Sequence, residues 1–216
     1  MARLLDRGLE DLTTILFRMG EIAENSVELS IEGFLEGLDV KSRVKSLSEM
    51  LVTLSVDVED KSFELIAKHQ PVASDLRIIK SYMKIAYDLE RFGRYAWDIS
   101  FIHQKLAEAE RCTYSRSLIE EMSDNVVNMV HASIKALKDH DVKLSESLAE
   151  TEKKVDGEFF EYLDIQSKEA TGAKCPSKCM ITNLLVVRYL ERIADHAAYI
   201  GEAITYIVTG EKVTLR

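Results

Sequence analysis

Proline and glycine are scarce in this chain, two and nine residues among 216, so there are few places where a helix must break. Long apolar runs are missing too. None reaches the ~18 to 20 residues that a membrane-spanning helix requires. The first residues, Met1 to Gly8, lack the apolar stretch and small-residue cleavage site of a signal peptide. Cysteine is sparse and odd in number, at three, which speaks against a disulfide framework and for a reducing cytoplasm. Net positive charge is also absent. A formal charge of −9 argues against nucleic acid as a partner and favours cations or a basic patch on another protein.

What remains is helical periodicity almost throughout. Apolar residues recur at spacings of three and four over six segments. These run from about Leu4 to Leu35, Lys41 to Lys68, Ser74 to Glu110, Ser115 to Lys138, Val142 to Ala170 and Ser177 to Val208. Gly37 to Asp39, Gln70-Pro71 and Thr171 to Pro176 punctuate them, and Ser74 or Asp75 is placed to cap the third.

The six segments form two sets of three. Asp88-Leu89-Glu90-Arg91-Phe92-Gly93-Arg94 in the third is echoed by Tyr189-Leu190-Glu191-Arg192-Ile193-Ala194-Asp195-His196 in the sixth. Met19 is echoed by Met122, and Asp39-Val40-Lys41 by Asp141-Val142-Lys143, while Pro71 and Pro176 each precede the third helix of a set. Four echoes in one order indicate duplication. The predicted fold is all-α: two tandem up-down-up three-helix bundles in pseudo-two-fold repeat, residues 1–110 and 113–210, joined near Arg111, Cys112 and Thr113.

Residues four apart on a helix share a face, so Glu191 and Asp195 can reach a common point. The apolar stripe through Leu190, Ile193, Ala197, Ile200 and Ile204 leaves both carboxylates off its centre, at the edge or surface of the helix. A second pair, Glu152 and Asp156, lies on the fifth helix, with Glu152 inside the stripe of Leu148, Val155 and Phe159. A carboxylate turned toward a neighbouring helix needs a partner. The fifth and sixth helices are neighbours in an up-down-up bundle, so the four carboxylates can form a site for a hard or borderline cation.

Acidic pairs at this spacing also occur at Asp6/Glu10, Glu120/Asp124 and Glu146/Glu150, so spacing alone does not make a ligand set. The run Glu24, Glu28, Glu32, Glu36 reads as a solvated face. Cys175 and Cys179 lack a second Cys/His pair and give only a weak zinc signal. His196 reads as structural, and the other four histidines share no spacing.

The stretch Ile66-Ala67-Lys68-His69-Gln70-Pro71-Val72-Ala73-Ser74-Asp75-Leu76-Arg77, followed by Asp88-Leu89-Glu90-Arg91, resembles the first-repeat signature of PhoU proteins, the regulators of phosphate uptake. Glu152-Lys153-Lys154-Val155-Asp156 and Leu190 to Asp195 resemble that of the second repeat. The resemblance runs from Met19-Gly20 to Gly210. It implies a cytoplasmic, non-enzymatic regulator of phosphate uptake and phosphate-starvation signalling. Its partners would be the ATPase of an ABC phosphate transporter and a sensor histidine kinase, with membrane contact only through them, and a homodimer is compatible with it. Metal clusters, iron or zinc among them, are implied at the acidic motifs. Carried over by position, the second repeat keeps the whole set: Glu152, Asp156, Glu191 and Asp195.

The first repeat departs from the pattern. Arg94 stands where an Asp is expected, and Ser48 to Val52 holds no acidic pair at spacing four. An arginine cannot ligate a cation. The expectation is therefore metal at the second repeat only, with Arg94 paired to Glu90 or Asp98. A carboxylate-bridged di-metal enzyme would want Glu-x-x-His on two helices, and none of the five histidines has a Glu three positions before it. The competing reading is a metal-free helical interaction module for another transporter.

Overall fold

The computed structural model describes residues 4–106, 116–169 and 177–215. They form six helices: α1 (Leu4–Glu36), α2 (Lys41–His69), α3 (Ala73–Leu106), α4 (Arg116–Asp139), α5 (Val142–Glu169) and α6 (Ser177–Thr209). The fold is all-α with a tandem repeat, as the periodicity predicted. The junction at Arg111 to Thr113 and the break at Thr171 to Pro176 lie outside the described residues.

Local chemistry sets the helix ends. Gly37 adopts φ 74 after α1, a left-handed conformation that costs glycine little, and the Leu38 amide donates to the Gly33 carbonyl at 2.9 Å. Gln70 closes α2 in the left-handed region (φ 46), its amide donating to the Ile66 carbonyl at 3.0 Å before Pro71 forbids continuation. α3 then starts at Ala73, so Ser74 and Asp75 lie inside its first turn rather than capping it. The echoed Asp-Val-Lys phrases do different work. Asp141 Oδ1 accepts from the Leu144 amide at 3.1 Å and caps α5, whereas Asp39 accepts from Gln104 Nε2 at 3.3 Å and the N-cap position of α2 falls on Val40, with no side-chain cap.

Within each half the three helices pack on one another; between halves α3 packs on α6 and α1 on α4. Among the described residues, α2 and α5 touch only helices of their own half. The buried side chains make one continuous apolar core, from Leu12, Leu16 and Met19 of α1 through Ile85, Leu89 and Phe92 of α3 to Val155 of α5 and Ile193 and Ile200 of α6. Burial of this kind, at about 1.5 to 3 kcal/mol per large aliphatic side chain, is what holds long helices together.

Both contacts between the halves are antiparallel. α1 and α4 are bridged by Glu21–Lys138 (3.8 Å), Glu28–His131 (2.7 Å) and Glu36–Arg116 (3.5 Å). Glu28, Glu32 and Glu36 of the acidic run are exposed, as a solvated face should be, yet the run also reaches across to the other half. Glu24, on the same face, is half-buried, and burial pushes its carboxyl above the usual range. α3 and α6 run past each other through Lys84–Glu202, Asp88–His196 and Tyr95–Tyr189.

Candidate metal centre and the interface beside it

α6 packs against α3, α4 and α5, so nearly its whole circumference is covered along the Leu-Glu-Arg phrase. Ile193 through Ala198 are buried without interruption. Glu191 and Asp195 are buried too, at 8% and 7% exposed, which corrects the edge-or-surface placement made from the apolar stripe. The stripe reports one neighbour; α6 has three, and on the carboxylate flank Asp156 of α5 is close enough to act on Glu191. On α5, Glu152 is buried and Asp156 half-buried, as the helical wheel implied.

Arginines neutralise the α6 pair. Arg188 Nη1 stands 2.7 Å from Glu191 Oε2, and Arg192 Nη1 stands 3.3 Å from Asp195 Oδ2. The first contact is one of charge rather than a directed hydrogen bond, because Glu191 Oε2 is buried with no hydrogen-bond partner. Burial pushes the Glu191 carboxyl up, the adjacent Asp195 charge adds to this, and Arg188 and Arg192 pull it back. Asp156, across on α5, raises it further, so two of the other three predicted carboxylates act electrostatically on Glu191.

The donor set suits a hard or borderline cation, and relief of like-charge strain at Glu191 is what such an ion would supply. The carboxylates do not converge into a ligand shell: among the described residues no three His, Cys, Asp or Glu side chains are grouped to hold a metal ion. A cation would have to displace Arg188 and Arg192, both on the exposed side of the helix and long enough to swing into solvent.

In the first half the corresponding position holds Arg94, which is exposed. It forms no direct ion pair with Glu90; its charge acts on Asp98, one turn on, whose carboxyl is raised by burial and pulled back by Arg94 and Arg91. Cys179 is buried and disulfide-bonded, its partner lying outside the described residues, as does Cys175. An odd count of three speaks against a disulfide framework, but it does not exclude a single pair.

Beside the carboxylates lies a polar contact that the sequence did not single out. His196 Nδ1 is 2.8 Å from Asp88 Oδ1, and both residues are buried at the α3–α6 interface. Aromatic rings surround it: Tyr87, Tyr95 and Tyr199 lie 6.1, 5.7 and 5.4 Å from the imidazole, centroid to centroid. Arg91 donates to the Tyr95 hydroxyl at 2.8 Å, with its guanidinium 4.8 Å from the same ring. The repeat makes this legible in hindsight. Asp88 and Tyr189 occupy equivalent places in the two phrases, as do Tyr95 and His196, so the interface pairs Asp88 with His196 and Tyr95 with Tyr189 across a pseudo-two-fold.

Fold and site together define a duplicated three-helix protein with a buried carboxylate pair on its last helix. The PhoU domain model matches it twice, over residues 16–102 and 119–204. The chain belongs to the PhoU family. It is 32% identical to a Caulobacter vibrioides protein named phosphate-specific transport system accessory protein PhoU homolog, over 95% of this chain and 90% of that one. A Clostridium acetobutylicum protein of the same name is 30% identical, over 99% and 98% of the two chains. The crystal structure of PhoU from Pseudomonas aeruginosa superposes with a TM-score of 0.90 at 26% identity, covering 95% of this chain and 99% of that one.

Proposed function

We propose that this protein is a non-enzymatic, cytoplasmic regulator of phosphate uptake, acting on the ATPase of an ABC phosphate transporter, on a sensor histidine kinase, or on both. The observation that carries the reading is the double PhoU match, supported by relatives named as accessory proteins of phosphate-specific transport systems. Among the described residues no helix is long and apolar enough to cross a membrane, which is compatible with action through membrane-bound partners. In this reading Glu152, Asp156, Glu191 and Asp195 hold iron or zinc at the second half alone, and the metal fixes α5 against α6. Support for that comes from the buried, like-charged surroundings of Glu191.

The arginine contacts favour a second reading, a metal-free interaction module whose carboxylates are permanently paired. Two measurements separate the readings. Elemental analysis of protein purified without a His-tag should find metal that Asp195→Ala loses and Glu90→Ala keeps; equal loss in both variants would sink the asymmetry. Phosphate uptake in cells lacking the chain should fall when the wild type is restored, and unchanged uptake would remove the regulatory assignment itself.

A further inference from the structure

The position that holds the carboxylates in the second half is, in the first half, an apolar groove. Buried residues align α2 with α5 as Val44 with Leu148, Leu51 with Val155 and Val58 with Tyr162, which sets Val52 opposite Asp156. The Leu-Glu-Arg phrases align Tyr87 with Arg188 and Glu90 with Glu191. Val52 and Val56 of α2 face Met83 and Tyr87 of α3 across a groove of about 320 Å³, with Glu59 and Glu90 among its walls. Val52, Val56 and Tyr87 are 43%, 51% and 52% exposed. Scattered exposed apolar residues need no explanation, but three gathered in one concavity do.

The charge is the second observation. In the second half Glu191 has Arg188 at 2.7 Å, on the preceding turn of its own helix. In the first half that turn carries Tyr87, and neither Glu90 nor Glu59 makes an ion pair or hydrogen bond among the described residues. The Arg188 cation has no counterpart on that turn; among the described residues Glu90 has only the charge of Arg91, whose guanidinium is engaged with Tyr95.

The geometry points to this groove as the docking site for an amphipathic helix of a partner protein, one that seats two aliphatic side chains a turn apart on Val52 and Val56 and brings a Lys or Arg to Glu59 and Glu90. A helix fits because both walls are helices whose backbone groups are already hydrogen-bonded, so strand addition has no edge to use, whereas a third helix can lie along the α2–α3 groove. α2 touches only α1 and α3 among the described residues, so this face is not covered by the other half. A second copy of this chain fits badly, because a two-fold contact would set Glu59 and Glu90 against their own kind. An anionic membrane surface is disfavoured for the same reason. The proposal is independent of metal binding in the second half.

The test is selection from a displayed library of helical peptides, randomised on one face, against the full chain. Enriched peptides should carry an aliphatic pair at i, i+4 with an adjacent Lys or Arg. Their affinity should fall about tenfold or more for Glu59→Lys, Glu90→Lys and Val56→Asp, while Arg94→Ala leaves it unchanged. All three groove positions are solvent-accessible, and circular dichroism melting checks that the variants fold. Enriched peptides without a basic residue, affinities indifferent to the three variants, or no enrichment would each overturn the proposal. So would a dimer in sedimentation velocity that Val56→Asp dissociates, since that would assign the groove to a second copy.

Discussion

Removing the His196 imidazole tests how far the contact between the two halves rests on one buried polar pair. Asp88 is 2% exposed and its Oδ2 has no hydrogen-bond partner, so Oδ1, 2.8 Å from His196 Nδ1, carries the whole satisfaction of the carboxylate. Burial pushes the Asp88 carboxyl up; His196 and then Lys84 pull it back, and Glu202 pushes it further up. In His196→Ala the carboxylate stays buried with nothing to accept from. Breaking one side of a buried pair costs about 3 to 5 kcal/mol, and the lower end applies because Asp88 can take up a proton instead. For a chain of this length about 3 kcal/mol lowers Tm by about 6 to 12 °C. The pH dependence follows in sign. A carboxyl whose folded pKa is raised stabilises the fold fully below its unfolded pKa and loses that contribution as pH rises through the folded one. The His196→Ala deficit is therefore largest at neutral pH and shrinks on acidification. Urea unfolding from about pH 3 to 8, on His196→Ala, Asp88→Asn and the double variant, measures both effects, bracketing the ordinary and raised carboxyl ranges. The double variant should recover about 1.5 to 3 kcal/mol relative to the sum of the singles. A deficit flat with pH, or additivity within about 0.5 kcal/mol, would refute the reasoning.

Three further outcomes follow from the same physics. A Cβ at Gly93 would lie 2.4 Å from Leu51 Cδ1 and 3.3 Å from the Ser48 Cα, so Gly93→Ala should destabilise by about 1 to 3 kcal/mol, whereas Gly157→Ala meets nothing and should stabilise by about 1 kcal/mol; thermal melts of the two variants check the contrast. Glu24→Gln should stabilise by under about 1 kcal/mol at neutral pH, because the folded carboxyl is raised by burial and by Glu28 and Glu21, and the gain should vanish below the ordinary carboxylate pKa in pH-resolved unfolding. Arg188→Ala removes the counter-charge 2.7 Å from Glu191, so zinc titration by calorimetry should show binding about tenfold tighter than wild type; weaker binding would mean that the arginine organises the site rather than competing for it.

The helix limits were legible where a glycine or proline coincides with a break in the apolar period: Gly37 and Pro71 stand where α1 and α2 end, whereas Gly93, Gly157 and Gly201 lie inside helices. Which faces would be covered was less legible, and the reason is physical. Periodicity records a helix against one apolar neighbour. α6 has three, and along Ile193 to Ala198 burial no longer follows the period of 3.6. Small residues at Ala194, Ala197, Ala198 and Gly201 were the available sign that other helices approach from several sides; a Cβ at Gly201 would already sit 3.1 Å from the Ser145 carbonyl oxygen. The same cause hid the Asp88–His196 contact. Each residue looks unremarkable within its own repeat, because its partner lies in the other one, 108 positions away. Duplication supplies the frame in which such pairs become readable: at an antiparallel interface between two equivalent helices, a change in one copy faces a change in the other, and Asp88 for Tyr189 is matched by His196 for Tyr95. The asymmetry of Asp195 against Arg94 is of the same kind, and so is that of Arg188 against Tyr87. One copy keeps its carboxylates and the arginines that neutralise them. The other has Val52 for Asp156, Tyr87 for Arg188 and Arg94 for Asp195 and keeps Glu90 without an ion pair on that turn, which is how one helix pair, used twice, comes to present two different surfaces.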